Sequence, residues 1–219
     1  IMAAQIKRVE ERSNEDVLEL NQQVGPLVAV LDVGVSKTVC LASRRDPVLD
    51  MHPDRPLRVL GVGHQTAPAI ASGKPADFDA CARAIHVALE EASLMAGSAI
   101  RRVVASYSGP GVSSRIVRGA ARVKGAVVTA RDVENAFTAA MASMPTPQLS
   151  FLHVEPLRYS IDDGEAIDDP VGHPGKLVAV DACVVTAPTE ALNALKACIR
   201  QAGADVEDII AGPKAAGLA

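Results

Sequence analysis

Two apolar runs, residues 27–33 and 38–42, flank a turn, and Asp32, Gly34, Ser36 and Lys37 stand at and around it. Residue types of this kind at this spacing can cradle a phosphate. A turn glycine lets backbone N–H groups approach phosphate oxygens, a serine hydroxyl and a lysine ammonium add donors, and an aspartate at a strand end can hold a hydrated magnesium ion. Asp-x-Gly between apolar runs also closes many hairpins that bind nothing. The residues alone leave both readings open.

Other chemistries find little support. His52, His64, His86, His153 and His173 show no i, i+4 pairing and no neighbouring cysteine cluster, which argues against zinc. Cys40, Cys81, Cys183 and Cys198 lie far apart, each in an apolar run, and read as reduced, buried thiols. Aromatic residues make up 2% of the chain and tryptophan is missing, so stacking platforms for single-stranded nucleic acid are scarce. A net charge of -4 and a pI near 5.7 lack the basic face of a duplex binder, and no nucleic-acid partner is expected. No run approaches the roughly 20 apolar residues of a bilayer-crossing helix. The polar N-terminus also lacks a secretory pattern, so the expected compartment is the cytoplasm.

The elements that would position the phosphate turn follow from periodicity. With 219 residues, 48% hydrophobic and 22% charged, the chain can bury a core, which must be built from Ala, Val, Leu and Ile. Residues 1–26 are polar and read as an extension. The runs 27–33, 38–42 and 57–63 predict a three-strand meander, with the Pro-bearing, charged insert 44–55 as a solvated hairpin loop. Phe78, Cys81, Ile85, Leu89, Ala92 and Met95 form one helical stripe over 78–96, stopped by Gly97. A strand at 103–105 then ends in the turn-prone stretch 106–111.

Beyond about residue 108 the texture changes. Two short strands, 114–117 and 120–124, precede a helix opened by a Thr129/Asp132 capping box, carrying Val133, Phe137, Met141 and Met144, and ended by Pro145 and Pro147. Strand pieces 151–154 and 157–161, an acidic loop 162–169 and a longer strand 177–185 complete a compact α+β unit. Pro188 opens a further helix with Leu192, Leu195 and Ile199 on its stripe and Gly203 as its stop. Residues 209–210 make a short buried strand, and 213–219 begin another helix.

The run V-A-V-L-D-V-G-V-S-K-T (28–38) is similar to the first phosphate loop of the FtsA family, and the likeness continues in the family's order to residue 219. Further marks are R-V-L-G-V-G-H (58–64), I-H-V-A-L-E-E-A-S-L-M-A-G (85–97), S-Y-S-G (106–109) and T-A-R-D-V-E-N-A (129–136). The most distinctive is L-H-V-E-P-L-R-Y-S-I-D-D (152–163), followed by D-P-V-G (169–172) and V-A-V-D-A-C-V-V-T (178–186). Their order and spacing carry the resemblance.

The resemblance implies an α/β, actin-like (ribonuclease H-like) subdomain over 27–106 and 187–219, interrupted by an inserted α+β lobe over 107–186, after the extension 1–26. It implies ATP and magnesium as ligands, with Asp32, Gly34, Val35, Ser36 and Lys37 forming the phosphate loop and Asp32 reaching the metal through water. Val35 replaces a hydroxyl residue usual in the family, which removes one phosphate donor. The lobe is the expected contact for a neighbouring FtsA in a polymer and for later division proteins, with Ser108, Gly109, Arg115, Arg118, Glu155 and Arg158 as candidate interaction residues. FtsZ and membrane contacts, and the second actin-like half, are expected beyond residue 219, and the family sits on the cytoplasmic face of the inner membrane at the division site.

The implied activity is that of a scaffold in which nucleotide is a conformational ligand, with weak ATPase activity at most. An actin-like ATPase or sugar-kinase-type enzyme would need a water- or sugar-orienting carboxylate or Gln near the γ-phosphate, and residues 65–74 offer no acid. A pilus-assembly relative with the same inserted lobe is a third reading, and an α/β domain without nucleotide a fourth.

Overall fold

The structure is a computed structural model that describes residues 26–45, 57–66, 70–71, 74–75, 77–144 and 148–217. The expected extension up to residue 25, most of the insert loop and the helix-ending Pro145 and Pro147 lie outside the described residues. In chain order the elements are β1 (Leu27–Val33), β2 (Thr38–Arg45), β3 (Leu57–Gln65), β4 (Ile70–Ala71), β5 (Lys74–Pro75), α1 (Phe78–Ala96), β6 (Arg102–Tyr107) and β7 (Ser113–Arg122), followed by α2 (Ala130–Ala142), β8 (Leu149–Ile161), β9 (Leu177–Pro188), α3 (Thr189–Gln201), β10 (Asp205–Ala211) and α4 (Gly212–Gly217). They form a five-stranded sheet in the order β10-β6-β1-β2-β3, a three-stranded sheet β7-β9-β8, and a small β4-β5 pair. The described chain groups into two compact units. One holds β1 to β3, α1, β6 as far as Ala105 and the stretch Cys198–Asp208, and the other holds Ser106–Ala197 and the residues from Ile209 onward.

In the first unit the expected meander is present, β1 and β3 each pairing antiparallel with β2. Alternation sends Ala29, Leu31 and Val33 of β1, with Thr38, Cys40 and Ala42 of β2, into the core. The register pairs Cys40 with Gly63 and Ala42 with Gly61, so these glycines share that face. There α1 packs with almost no gap: a Cβ on Gly63 would sit 1.8 Å from the Ala88 carbonyl oxygen, and one on Gly61 2.2 Å from that of Ala92. Hydrogen atoms in place of side chains let a helix backbone lie directly on a strand.

The helix α1 spans the expected residues because both ends are capped. The Asp77 carboxylate accepts from the Ala80 amide, and Gly97, at φ 62°, turns the chain out in the left-handed region. The middle of its stripe, Cys81, Ile85, Leu89 and Ala92, is buried, whereas the ends are not: Phe78 is 39% and Met95 64% exposed. In β10 Ile209 is buried as expected, within a strand longer than the two residues foreseen. Ile210, also expected to be buried, is half-buried.

In the second unit two corrections concern strand continuity. The two short runs at 114–124 are a single strand, β7, running through Gly119. A Cβ on Gly119 would meet the Ala136 carbonyl oxygen and the Ala140 amide nitrogen at 2.2 Å each, so the residue that reads as a break is the seat of α2. The two pieces at 151–161 are likewise one strand, β8, which absorbs Pro156 through a register shift between Pro156 and Arg158, with a second between Phe151 and His153. Being at a sheet edge, β8 tolerates a proline.

Val128, Ala136, Ala140, Val178, Val180 and Ala182 form the lobe core, and Phe137 meets Tyr159 edge-on at 6.3 Å. The buried line of α2 is thus Ala136 and Ala140, with Val133, Phe137 and Met141 flanking it half-buried. The Thr129/Asp132 capping box is present. Hydrogen bonds from the Thr129 hydroxyl and backbone amide hold the Asp132 carboxyl below its ordinary pKa.

Candidate functional site

The first candidate is the turn between β1 and β2. Val33 pairs with Thr38, and the Gly34 amide donates to the Lys37 carbonyl at 2.8 Å, closing four residues into a tight loop. A Cβ at Gly34 would lie 3.1 Å from that carbonyl oxygen, tighter than ordinary contact. Val35 is 70% exposed, and Ser36 and Lys37 are also exposed. Asp32 is half-buried and pairs with Val39, on the sheet face opposite Leu31 and Cys40. The hydroxyl of Thr38 is fully buried and has no hydrogen-bond partner among the described residues.

These residues fit a phosphate in part. Ser36 and Lys37 present a hydroxyl and an ammonium to solvent, and an orphan hydroxyl lies one residue beyond. The Gly34 amide is occupied by the loop's own closure, and Val35 donates nothing through its side chain. The turn can therefore supply one side of a phosphate clamp. Among the described residues no cluster of His, Cys, Asp and Glu could hold a metal by itself. A cavity of this unit, about 400 Å³ and lined by His86, Leu89, Glu90, Leu94, Ile100 and Gly203, includes none of the turn residues.

The second candidate is the outer face of the three-stranded sheet. Arg158 Nε donates to Asp181 Oδ2 at 2.7 Å, and Arg118 reaches Asp181 at 3.9 Å and Asp163 at 3.1 Å. Arg118 also donates to the Ser160 hydroxyl at 3.3 Å. Asp181 is buried while both guanidiniums are largely exposed, so one carboxylate anchors two solvated cations. Glu155, further along β8, pairs with Lys214, whose ammonium holds the Glu155 carboxyl below its ordinary pKa. His153 Nε2 accepts from the Ala211 amide at 2.9 Å.

Of the six lobe residues read from the sequence, the structure brings Arg118 and Arg158 together. Glu155 stands apart with Lys214, and Arg115 is exposed on β7. Ser108 and Gly109 lie elsewhere, in the turn after β6. Ser108 sits so close to Gly212 that a Cβ there would be 1.9 Å from its Oγ, and a Cβ on Gly109 would be 2.4 Å from the Tyr107 hydroxyl. Asp181, His153 and Lys214 were not foreseen. Asp181 left a signal, being the sole acid inside the apolar run 178–186, where a charge needs partners.

A five-stranded sheet backed by a helix, carrying a phosphate-type hairpin and interrupted by a separate three-stranded lobe, is an actin-like α/β architecture with an insertion. Residues 109–186 match the family model described as the SHS2 domain inserted in FtsA. Among curated proteins the chain is similar to Cell division protein FtsA of Agrobacterium fabrum, 32% identical over 204 residues that cover 91% of this chain and 46% of that protein. It is similar also to FtsA of Pseudomonas aeruginosa, at 28% identity over 86% of this chain and 44% of that protein. FtsA of Escherichia coli K12 matches at 27% identity over 84% and 42%. The chain thus spans about half the length of the curated relatives it matches.

A solved structure, the PilM-PilN type IV pilus biogenesis complex, superposes with a TM-score of 0.56 at 18% identity, covering 85% of this chain and 47% of that one, a likeness of fold alone. The resemblance to FtsA and the actin-like fold read from the sequence are met by these comparisons.

Proposed function

We propose that this chain is part of an FtsA-type cell-division scaffold, made of one actin-like subdomain over 27–106 and 187–219 and an assembly lobe over 107–186. The observation that carries the reading is the SHS2 match at 109–186, which covers the sheet β7-β9-β8 and the helix α2. The lobe meets a neighbouring FtsA in a polymer and receives later division proteins. FtsZ and membrane attachment belong to other parts of the scaffold, which works on the cytoplasmic face of the inner membrane at the division site. Among the described residues no helix is long and apolar enough to cross a membrane.

Nucleotide is a weak ligand of this chain. The loop of Asp32, Gly34, Val35, Ser36 and Lys37 binds the phosphates of ATP, with Asp32 reaching magnesium through water. One clamp side gives a Kd on the order of millimolar, about 4 kcal/mol. Calorimetry returning a micromolar Kd overturns this. The scaffold role is supported over an ATPase or kinase by the first acid after β3, Asp77, which serves as the cap of α1.

The scaffold role itself is tested by sedimenting ATP-assembled full-length Agrobacterium fabrum FtsA with this chain added in excess. The expected result is less polymer in the pellet, an effect lost when 109–186 is deleted. Unchanged polymer at any excess overturns the reading.

A further inference from the structure

β7 is an edge of the three-stranded sheet, and among the described residues no strand pairs with its outer side. Its ten residues carry three arginines and no acid. Val117 and Ala121 pack towards the lobe core, so alternation puts Ser114, Ile116, Arg118, Ala120 and Arg122 on the opposite face. Ile116 is 68% exposed, an apolar side chain held in water between arginines at 115 and 118. Arg118 is tied to Asp163 and Asp181, whereas Arg115 and Arg122 form no ion pair among the described residues. The other edge, β8, is a poor template: it is broken by two register shifts, and Pro156 has no N–H to donate.

A long unpaired edge is a ready site for strand addition, in which backbone hydrogen bonds supply affinity and alternate side chains supply choice. A second copy of this chain is the wrong occupant. Antiparallel pairing of β7 with itself would gather the arginines of both strands with no acid among them, and like charges across a strand pair are unfavourable. We propose that the free edge of β7 receives an extended, acidic segment of another protein, whose carboxylates meet Arg115 and Arg122 while an apolar side chain covers Ile116. The proposal rests on the reading of 107–186 as a docking lobe and names the surface and the chemistry of what docks.

Arg115 lies on the face of Val117 and Arg122 on that of Ile116, so the probe is a fluorescein-labelled extended peptide with Glu on both faces, Glu-Thr-Thr-Thr-Thr-Thr-Val-Glu, titrated with the full chain at low salt. A saturable rise in anisotropy is expected, and the Arg115→Glu, Arg122→Glu double variant should weaken binding by on the order of tenfold or more. Two changes on the peptide need no variant to fold: methylating alternate backbone amides should abolish binding, and so should Lys in place of Glu. No saturable binding, or equal binding by the methylated or the Lys peptide, overturns the proposal. A dimer in analytical ultracentrifugation that the peptide dissolves reassigns the edge to a second copy and overturns it equally. Peptide binding with no effect on FtsA polymer would sink the scaffold role and leave the edge site standing, and the reverse result would sink the edge site alone.

Discussion

The two sheets solve the same packing problem with the same device and then diverge. In each, strand glycines face helix alanines: Gly61 and Gly63 under Ala88 and Ala92 of α1, Gly119 under Ala136 and Ala140 of α2. Backbone lies on backbone in both. They differ in what they leave to solvent. The five-stranded sheet offers a closed turn whose polar groups are few and local, while the lobe offers a charged face centred on Asp181 and a basic edge that is unpaired among the described residues. A small-residue interface therefore fixes how a helix sits without deciding what the sheet's other surfaces do. Those surfaces are set by the residues that alternate with the glycines.

The largest expected effect comes from filling the contact. Gly63→Ala should destabilise the first unit and Gly119→Ala the second, each by about 3 kcal/mol, since an added methyl meets backbone that cannot rotate away. Hydrogen exchange read separately over β1–β3 and β7–β9 checks this. A change in both regions from either substitution would break the comparison, by making the units one cooperative block.

Next comes Asp181→Ala, which strips two guanidiniums of their shared anchor. About 1–2 kcal/mol is expected, kept modest because both arginines are largely exposed to water. Urea denaturation measures it, and no loss would make the cluster purely a surface feature. The α2 cap ranks third: Thr129→Ala should cost about 1 kcal/mol in the same measurement.

Asp132 adds a sign to the pH profile. Its folded pKa lies below its unfolded one, so its contribution is present above the unfolded pKa and is lost as pH falls through the folded value. Asp132→Asn should flatten the acid limb of stability for the lobe only, monitored by urea titrations across the acid range. The smallest effect is expected at Leu94, 83% exposed on α1, where Leu94→Ser should leave stability within about 0.5 kcal/mol.

Legibility in the sequence tracked local signals. The helix α1 was readable to its ends because Asp77 and Gly97 cap it and its stripe repeats without interruption. The β1–β2–β3 meander was readable because turn residues separate its runs. Strand continuity in β7 and β8 was not, since Gly119 and Pro156 are breakers by local rule. What overrides them is tertiary: a helix seated on the glycine, and an edge position that needs no N–H from the proline. The phosphate turn was legible as residue types, but the closure of Gly34 onto Lys37 is a matter of backbone geometry that no spacing reveals. Arg118 and Arg158 stood out as charges. Their convergence on Asp181 depends on the register that sets both opposite that residue, which only the paired strands disclose.

The chain has no tryptophan and two tyrosines, Tyr107 and Tyr159, and both belong to the unit that contains Ser106–Ala197. Tyr107 is buried beside Gly109, and Tyr159 rests against Phe137. Tyr159 belongs to β8 of the lobe, whereas Tyr107 ends β6, a strand of the five-stranded sheet, so in a Tyr107→Phe variant the tyrosine emission and near-ultraviolet dichroism report on the lobe alone. In that variant the melting of the first unit registers in the far ultraviolet, through loss of α1 and the five-stranded sheet. Two optical channels then separate the two units without any label.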